Sequence, residues 1–179
     1  MVLLNSSEIV PVDLPAISLL DVRTGASVFL HENSNILVLA VICNHCPYVL
    51  HIKSCMQEVL NAYANAKDID VIAVSGNDPE LYPEDSPDKM KIFSKDFNFP
   101  YLYDAEQAFL RAIGAVCTPE FYIYKKGKLH YHGRFDDSSP GNNNIVTGAD
   151  LQNAITTIMG GKSVLRAFSS QGCSIKWKA

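Results

Sequence analysis

An apolar run that ends in two closely spaced thiols constrains the fold of this chain more than any other feature. Residues 37–42, Leu-Val-Leu-Ala-Val-Ile, have the composition of a buried strand, and Cys43 and Cys46 follow directly. From Pro47 to about residue 66, apolar side chains recur at helical spacing. Both sulfurs are therefore expected at a strand-to-helix turn, where free backbone N–H groups and the helix dipole stabilise a thiolate. This position predicts redox chemistry.

The segments around this turn predict an α/β fold. A second apolar run, residues 70–75, follows the helix, and the strand–helix–strand order implies a parallel pair joined by a crossover. Turn residues between shorter apolar runs indicate two β-hairpins. In chain order, the other predicted elements are the hairpin 16–22 and 26–30, helices over 87–97 and 105–113, the hairpin 121–124 and 129–132, and a last helix from a capping box at Thr147 and Asp150 to Met159.

Size, charge and cysteine content limit the classes of function. With 179 residues, 47% of them hydrophobic, the chain has material for one sizeable core. We therefore expect a single domain over residues 1–179, with residues 163–179 as a C-terminal tail. The net charge of −4 argues against nucleic-acid and membrane partners. The first residues show no signal-peptide pattern, and five cysteines fit reduced or catalytic thiols, so a cytoplasmic location is expected.

Three motifs together resemble a known family. The stretch Cys43-Asn44-His45-Cys46-Pro47, the segment 133–137 and the tail 172–178 are similar to peroxiredoxin-like (AhpC/TSA-type) proteins of the thioredoxin fold. The resemblance implies a thioredoxin-like three-layer sandwich, with a central mixed sheet, an N-terminal β-hairpin and inserted helices. It also implies a cis peptide bond between Thr118 and Pro119, in a loop beside the thiols that presents a backbone edge to an extended substrate.

Two assignments of the attacking and the resolving cysteine are compatible with the sequence. In the thioredoxin arrangement Cys43 is the exposed nucleophile and Cys46 is the buried resolving thiol. In the peroxiredoxin arrangement Cys46 attacks, and Cys43 takes the place of a hydroxyl residue. Pro47 bears on the choice: if Cys43 caps the helix, Pro47 loses a helical hydrogen bond, whereas if Pro47 is the first helical residue, Cys46 is the cap. Both assignments stay open at this point.

The substrate class follows from residues near the predicted thiols. Peroxiredoxins place an arginine beside the attacking sulfur, but Thr118 occupies its usual place here, and only Arg134 or Arg111 is a candidate to replace it. We therefore favour thiol–disulfide exchange, with an antioxidant thiol peroxidase as the alternative. His45, when protonated, is expected to stabilise a neighbouring thiolate. The implied partners are a disulfide or peroxide and a thiol electron donor, with no cofactor, and the oligomeric state is open.

The remaining cysteines and histidines leave further alternatives. Cys117 precedes the Thr-Pro dipeptide and is a candidate supporting thiol, whereas Cys55 is expected in the core. Cys173 is either a resolving or intermolecular thiol, or part of a tail that only packs on the domain. Glu120 is the candidate for a proton-relaying carboxylate. From another class of function, the Cys-x-x-Cys turn with the pair His130-x-His132 would suit a copper or zinc carrier.

Overall fold

The computed structural model describes residues 3–5, 13–30 and 35–179. A short 3-10 helix at Pro83–Asp85 precedes the second α-helix. In chain order the other elements are β1 (Leu3–Asn5), β2 (Ile17–Asp21), β3 (Ser27–Leu30), β4 (Ile36–Val41), α1 (Pro47–Ala64), β5 (Ile69–Ser75), α2 (Pro87–Phe93), β6 (Tyr101–Tyr103), α3 (Ala108–Ala112), β7 (Cys117–Thr118), β8 (Glu120–Lys125), β9 (Lys128–Gly133), α4 (Ala149–Met159) and β10 (Gln171–Ser174).

A seven-stranded mixed sheet forms the centre of the molecule, in the order β3-β2-β6-β5-β4-β8-β9. Strand β5 runs parallel to both β4 and β6, and the remaining pairs are antiparallel. The parallel pair β4–β5 is joined by α1, as the strand–helix–strand order predicts. The N-terminal hairpin extends one edge of this sheet. The prediction of a thioredoxin-like α/β fold is confirmed.

Helices cover both faces of the sheet and produce the three layers. All six residues of β4 are buried, and they alternate between the two faces, with Val38 and Ala40 on one and Leu37 and Leu39 on the other. Helices α1, α2 and α4 pack on the first face, and α3 packs on the second. No helix in the described part of the chain has the length and hydropathy that crossing a membrane requires.

The ends of the later helices differ from the sequence-based prediction. Helix α2 ends at Phe93 rather than at residue 97, because the backbone N–H groups of Lys95 and Phe97 bond to carbonyls three rather than four residues earlier. The prediction that Thr147 and Asp150 form a capping box at the start of the last helix was wrong. The N-cap of α4 is Gly148, in a left-handed conformation, and the carboxylate of Asp136 accepts its N–H at 2.7 Å.

The C-terminal tail contributes a strand that the sequence did not indicate. Strand β10 lies between β1 and β7 in a second, three-stranded sheet and pairs antiparallel with both. In this register Cys173 is opposite Thr118, and Ser174 is opposite Cys117. Gly172 makes the close approach possible, since a Cβ there would lie 2.0 Å from the carbonyl oxygen of Thr118. The tail is therefore fixed against the loop that precedes β8.

Candidate active site

The two thiols of the Cys-x-x-Cys motif lie at the turn between β4 and α1. Cys46 is the N-cap of α1, with an extended backbone, and Pro47 is the first helical residue. Of the two alternatives for Pro47, the structure therefore has the one in which Cys46 caps the helix. The backbone N–H and side chain of Asn44 are both hydrogen-bonded to the loop that carries the 3-10 helix, which holds the turn in place.

Three sulfur atoms and one threonine meet at this turn. The Sγ of Cys46 lies 2.8 Å from the Sγ of Cys173 and 3.1 Å from the carbonyl oxygen of Thr118. The Sγ of Cys43 lies 3.3 Å from the Oγ1 of Thr118. The peptide bond between Thr118 and Pro119 is cis, the geometry that the resemblance implied. Strand β10 thus brings a third thiol to the predicted pair.

All three sulfurs are covered by protein. Cys43 and Cys173 are each 1% exposed, and Cys46 is fully buried. The expectation that Cys43 is an exposed nucleophile was therefore wrong for this conformation. Cys173 of β10 lies directly against Cys46, and the side chain of Thr118 in β7 lies against Cys43. In this conformation none of the three sulfurs is open to solvent.

The environment of Cys46 favours its thiolate. A hydrogen bond from the Cys43 thiol is the largest effect that lowers the pKa of Cys46 to about 5, and burial opposes it. Hydrogen bonds from Cys173, the Val49 backbone and the Thr118 hydroxyl lower the pKa further. The Cys46 sulfur makes no regular capping hydrogen bond, but the N–H of Val49 faces it from the first helical turn. Cys46 is therefore the most acidic thiol of the cluster.

The two thiols beside Cys46 have the opposite tendency. The hydrogen bond to Cys46 raises the pKa of Cys43 well above its ordinary value, and burial and the charge of Asp85 add to the effect. Burial is the main cause that raises the pKa of Cys173 to about 12, and the hydrogen bond to Cys46 adds to it. The cluster thus combines one thiolate with two neighbouring proton donors.

A buried carboxylate that the sequence reasoning missed supports the turn. Asp85, in the 3-10 helix, is fully buried, and its two oxygens accept the N–H of Asn44 at 2.8 Å and the amide of Asn77 at 2.7 Å. Its Oδ2 also lies 2.6 Å from the Nδ1 of His45, outside the geometry of a directed hydrogen bond. Asp85 occupies the position beside the thiols for which Glu120 had been the candidate.

Glu120 instead lies in a separate polar pair on β8. Its Oε1 is 2.7 Å from the Nε2 of His132, and its Oε2 accepts the backbone N–H of Val116 at 3.1 Å. The ring of His132 stacks on Tyr122 with the centroids 4.5 Å apart. One member of the predicted His130-x-His132 metal pair is thus engaged in this local arrangement.

His45 lies at the rim of the site. Its side chain is 30% exposed, and its ring is parallel to that of Tyr82, with the centroids 5.6 Å apart. Because Asp85 is in contact with the imidazole, a positive charge on His45 is offset by a negative one. The thiolate stabilisation predicted for a protonated His45 is weakened accordingly.

The C-terminal tail is hydrogen-bonded to the loop between β5 and the 3-10 helix. The backbone N–H of Lys176 donates to the side chain of Asn77 at 2.8 Å, and its carbonyl accepts the N–H of Asp78 at 2.9 Å. The side chain of Gln107 also donates to the carbonyl of Lys176, at 2.9 Å. Asn77 therefore connects the tail to Asp85, and the anchoring of β10 and the position of the thiol turn share one network.

The other predicted site residues are distributed around this cluster. Cys117 is buried in β7, one residue before Thr118. Cys55 is half-buried on α1, beside the core. The guanidinium of Arg134 pairs with Asp150 at 2.6 Å, and that of Arg111 lies over the ring of Trp177. Both arginines proposed as replacements for the peroxiredoxin arginine thus have other partners.

A cavity of about 400 Å³ opens next to the cis-proline. Pro119 and Gln171 line it on the side of the thiols, Tyr48 lines it from α1, and Arg134 and Asp136 contribute charge on the far side. No cysteine lines this cavity. The cavity therefore lies beside the thiol cluster, through Pro119 next to Thr118 and Gln171 in β10, without reaching a sulfur.

One group of side chains in the described ranges has the donor spacing of a metal site. One ligand atom each from Cys43, His45 and Asp85 lies within 4.8 Å of the others. The Asp85 oxygens already accept two hydrogen bonds, and Cys43 donates to Cys46, so the group is occupied by interactions of the turn itself. Neither His130 nor His132 belongs to it. The carrier predicted from that histidine pair gains no support from this geometry.

Comparison with known proteins identifies the family. The model of the Redoxin family matches residues 11–151, which include the thiol turn, the cis-proline and the last hairpin. The chain belongs to the Redoxin family. No curated protein sequence matches this Redoxin-family chain.

Solved structures extend the likeness of this Redoxin-family chain to its full length. An uncharacterized conserved protein from Geobacillus kaustophilus is 37% identical, with a TM-score of 0.93, and the match covers 99% of this chain and 97% of that one. A hypothetical protein from Sinorhizobium meliloti is 35% identical, with a TM-score of 0.90 and 98% of both chains covered. A thioredoxin-like protein from Aeropyrum pernix, 17% identical with a TM-score of 0.55, matches over 79% of this chain and 88% of its own and shows the fold alone.

Proposed function

We propose that this Redoxin-family protein is a thiol–disulfide oxidoreductase in which Cys46 attacks and Cys43 resolves. The observation that carries the proposal is the Cys46 sulfur at the N-cap of α1, where the Cys43 thiol and the Val49 N–H lower its pKa to about 5. At neutral pH Cys46 is then mostly thiolate, the form of cysteine that attacks disulfides. Cys43 keeps its proton until the second step because its pKa is raised.

The reaction proceeds in two exchanges. In the first, the Cys46 thiolate attacks a substrate disulfide, a bond forms between Cys46 and one substrate sulfur, and the other leaves as a thiolate that takes a proton from water. In the second, Cys43 gives its proton to solvent and attacks the Cys46 sulfur, which releases the second substrate thiolate. The substrate gains two electrons and the protein is left with a Cys43–Cys46 disulfide, which a thiol electron donor reduces.

The residues around the pair have positioning roles in this proposal. Thr118 contacts both sulfurs, Cys43 through its hydroxyl and Cys46 through its carbonyl, so it keeps them at a common distance from the loop. Pro119 and Pro47 fix the backbone on the two sides of the cluster. His45 and Cys117 flank it as supporting side chains. A substrate enters from the cavity beside Pro119 when β10 shifts.

Peroxide reduction is the second candidate function. It is favoured by the lowered pKa of Cys46, the residue directly before the proline, which is the attacking thiol in the peroxiredoxin arrangement. The pairing of Arg134 with Asp150 counts against it, because no guanidinium is then supplied from that residue to polarise a peroxide. We propose disulfide exchange as the main activity, in the reducing environment of the cytoplasm.

The test is the reaction of the reduced protein with glutathione disulfide at neutral pH, quenched with acid and followed by intact mass and peptide mapping. The wild-type protein is expected to consume the disulfide and acquire a Cys43–Cys46 bond, and Cys46→Ser is expected to be inert. Cys55→Ser is the matched control, because that thiol is on the same helix but outside the cluster. Consumption by Cys46→Ser at the wild-type rate would refute the proposal. A parallel reaction with hydrogen peroxide that is faster than the disulfide reaction would select the second candidate.

A further inference from the structure

Strand β10 occupies the edge of the loop that the resemblance assigns to substrate. It pairs antiparallel with β7, so that Cys173 faces Thr118, and the N–H of Ile175 donates to the carbonyl of Val116 at 3.2 Å. An extended substrate segment that adds to this edge would form the same kind of pairing. The protein thus holds a cysteine of its own at the edge where such a segment would pair.

We propose that Cys173 is a third redox thiol, which exchanges disulfides with Cys46 from the position of a built-in substrate. This inference rests on the proposed function, since it requires Cys46 to be the sulfur that is attacked after the first exchange. It adds a second resolving route and a role for the tail: the enzyme forms either a Cys43–Cys46 or a Cys46–Cys173 disulfide, with Cys46 common to both.

The geometry of the sulfur pair supports the proposal. A disulfide bond is about 2.05 Å long, and the sulfurs of Cys46 and Cys173 are 2.8 Å apart before any oxidation. The backbone of β10 is held from both sides by β1 and β7, so Cys173 is presented in one position rather than from a mobile tail. A thiol at contact distance has a high effective concentration and competes well with thiols in solution.

The exchange balances without an added oxidant or reductant beyond the substrate. Starting from the mixed disulfide between Cys46 and a substrate thiol, Cys173 loses its proton to solvent and attacks the Cys46 sulfur. The Cys46–Cys173 bond forms, the bond to the substrate breaks, and the substrate thiolate takes up a proton. Starting from the Cys43–Cys46 disulfide, the same attack releases Cys43 as the thiolate and changes no oxidation state overall.

The test isolates the second route by removing the first. Reduced Cys43→Ser protein is mixed with glutathione disulfide, quenched with acid, alkylated and digested, and its disulfide-linked peptides are identified by mass spectrometry. The expected product links Cys46 to Cys173. In the double variant Cys43→Ser/Cys173→Ser the reaction should stop at the mixed disulfide of Cys46 with glutathione, which is expected to persist at least roughly tenfold longer because no internal thiol resolves it.

Controls separate this inference from the proposed function. Cys43→Ser/Cys55→Ser should behave as Cys43→Ser, and Cys43→Ala gives a second background whose fold is checked by circular dichroism. If both single variants at Cys43 accumulate the mixed disulfide for as long as the double variant, Cys173 is not a redox thiol, while the attack by Cys46 stands. If no adduct forms on Cys46 in any background, the proposed function itself fails.

Discussion

Replacement of Gly172 by alanine should detach β10 from the thiol cluster without changing any cysteine. A Cβ at this position would lie 2.0 Å from the carbonyl oxygen of Thr118 and 2.7 Å from its carbonyl carbon, both of them backbone atoms. Neither atom moves alone, because Thr118 is fixed on its other side by Pro119 and β8. We expect β10 to move away from β7, which uncovers Cys46.

The size of the effect follows from the contacts that are lost. A shift of roughly 1 Å removes the close contact and also takes backbone hydrogen bonds out of range. Pairing with β7 involves Cys173 and Ser174, and Ile175 adds a further hydrogen bond. At about 1 kcal/mol net for each of two or three hydrogen bonds, the free energy of unfolding should fall by about 2–3 kcal/mol. For a chain of this size, the Tm should then be lower by roughly 5–10 °C.

The assay combines thermal unfolding with alkylation of the reduced protein by iodoacetamide at neutral pH, mapped by mass spectrometry. Gly172→Ala should show the lower Tm and faster alkylation of Cys46. Gly141→Ala is the matched control, since its Cβ would meet nothing closer than the Ser139 hydroxyl at 4.0 Å. If Gly172→Ala has the Tm and the Cys46 alkylation rate of Gly141→Ala, then β10 does not cover the thiols in solution.

Three further predictions concern the charges of the cluster. The folded-state pKa of Cys46, about 5, lies below that of an unfolded thiol, so the thiolate stabilises the fold fully above the unfolded value and loses this contribution as the pH falls through 5. In urea unfolding, the free energy of unfolding of the wild type minus that of Cys46→Ser should be larger at pH 7 than at pH 4 by on the order of 2 kcal/mol. A difference that does not change with pH would contradict this prediction. Cys173→Ala should raise the pKa of Cys46 measured by alkylation, because the hydrogen-bond donor at residue 173 is lost; an unchanged or lower value would oppose this assignment. Asp85→Asn should lower the pKa of Cys43, because the negative charge that raises it is removed. The second exchange should then be several-fold faster in single-turnover experiments, and an unchanged rate would show that the carboxylate has no electrostatic effect on that thiol.

The parts of the fold that local pattern determines could be predicted from the sequence. Strand β4, helix α1 and the hairpin β8–β9 all have a continuous apolar period, and their observed ends lie within about two residues of the predicted ones. The position of the thiols at the helix start follows from the same pattern. The capping box at Thr147 failed because a distant carboxylate, that of Asp136, takes the N–H groups at the start of α4, and no local pattern indicates such a partner.

The parts of the site that depend on distant segments could not be predicted. Asp85 is one of several acidic residues in a polar loop without periodicity, and only the fold brings it beneath the turn. Strand β10 has four residues and no apolar alternation, and its backbone pairing with β1 and β7 has no signature in the sequence. Gly172 beside Cys173 is the one local signal of a close backbone approach in the tail.

The ultraviolet absorbance of the thiolate shows whether Cys46 is ionised at neutral pH. This absorbance is read at equilibrium and needs no reagent to enter the buried site. Titration of the reduced protein should show one thiolate forming with a midpoint near pH 5, and Cys46→Ser should lack this transition while Cys55→Ser retains it. If the first thiolate of the wild-type protein forms only near the ordinary cysteine pKa, about 8.5, or if the acidic transition survives in Cys46→Ser, then Cys46 is not the acidic thiol.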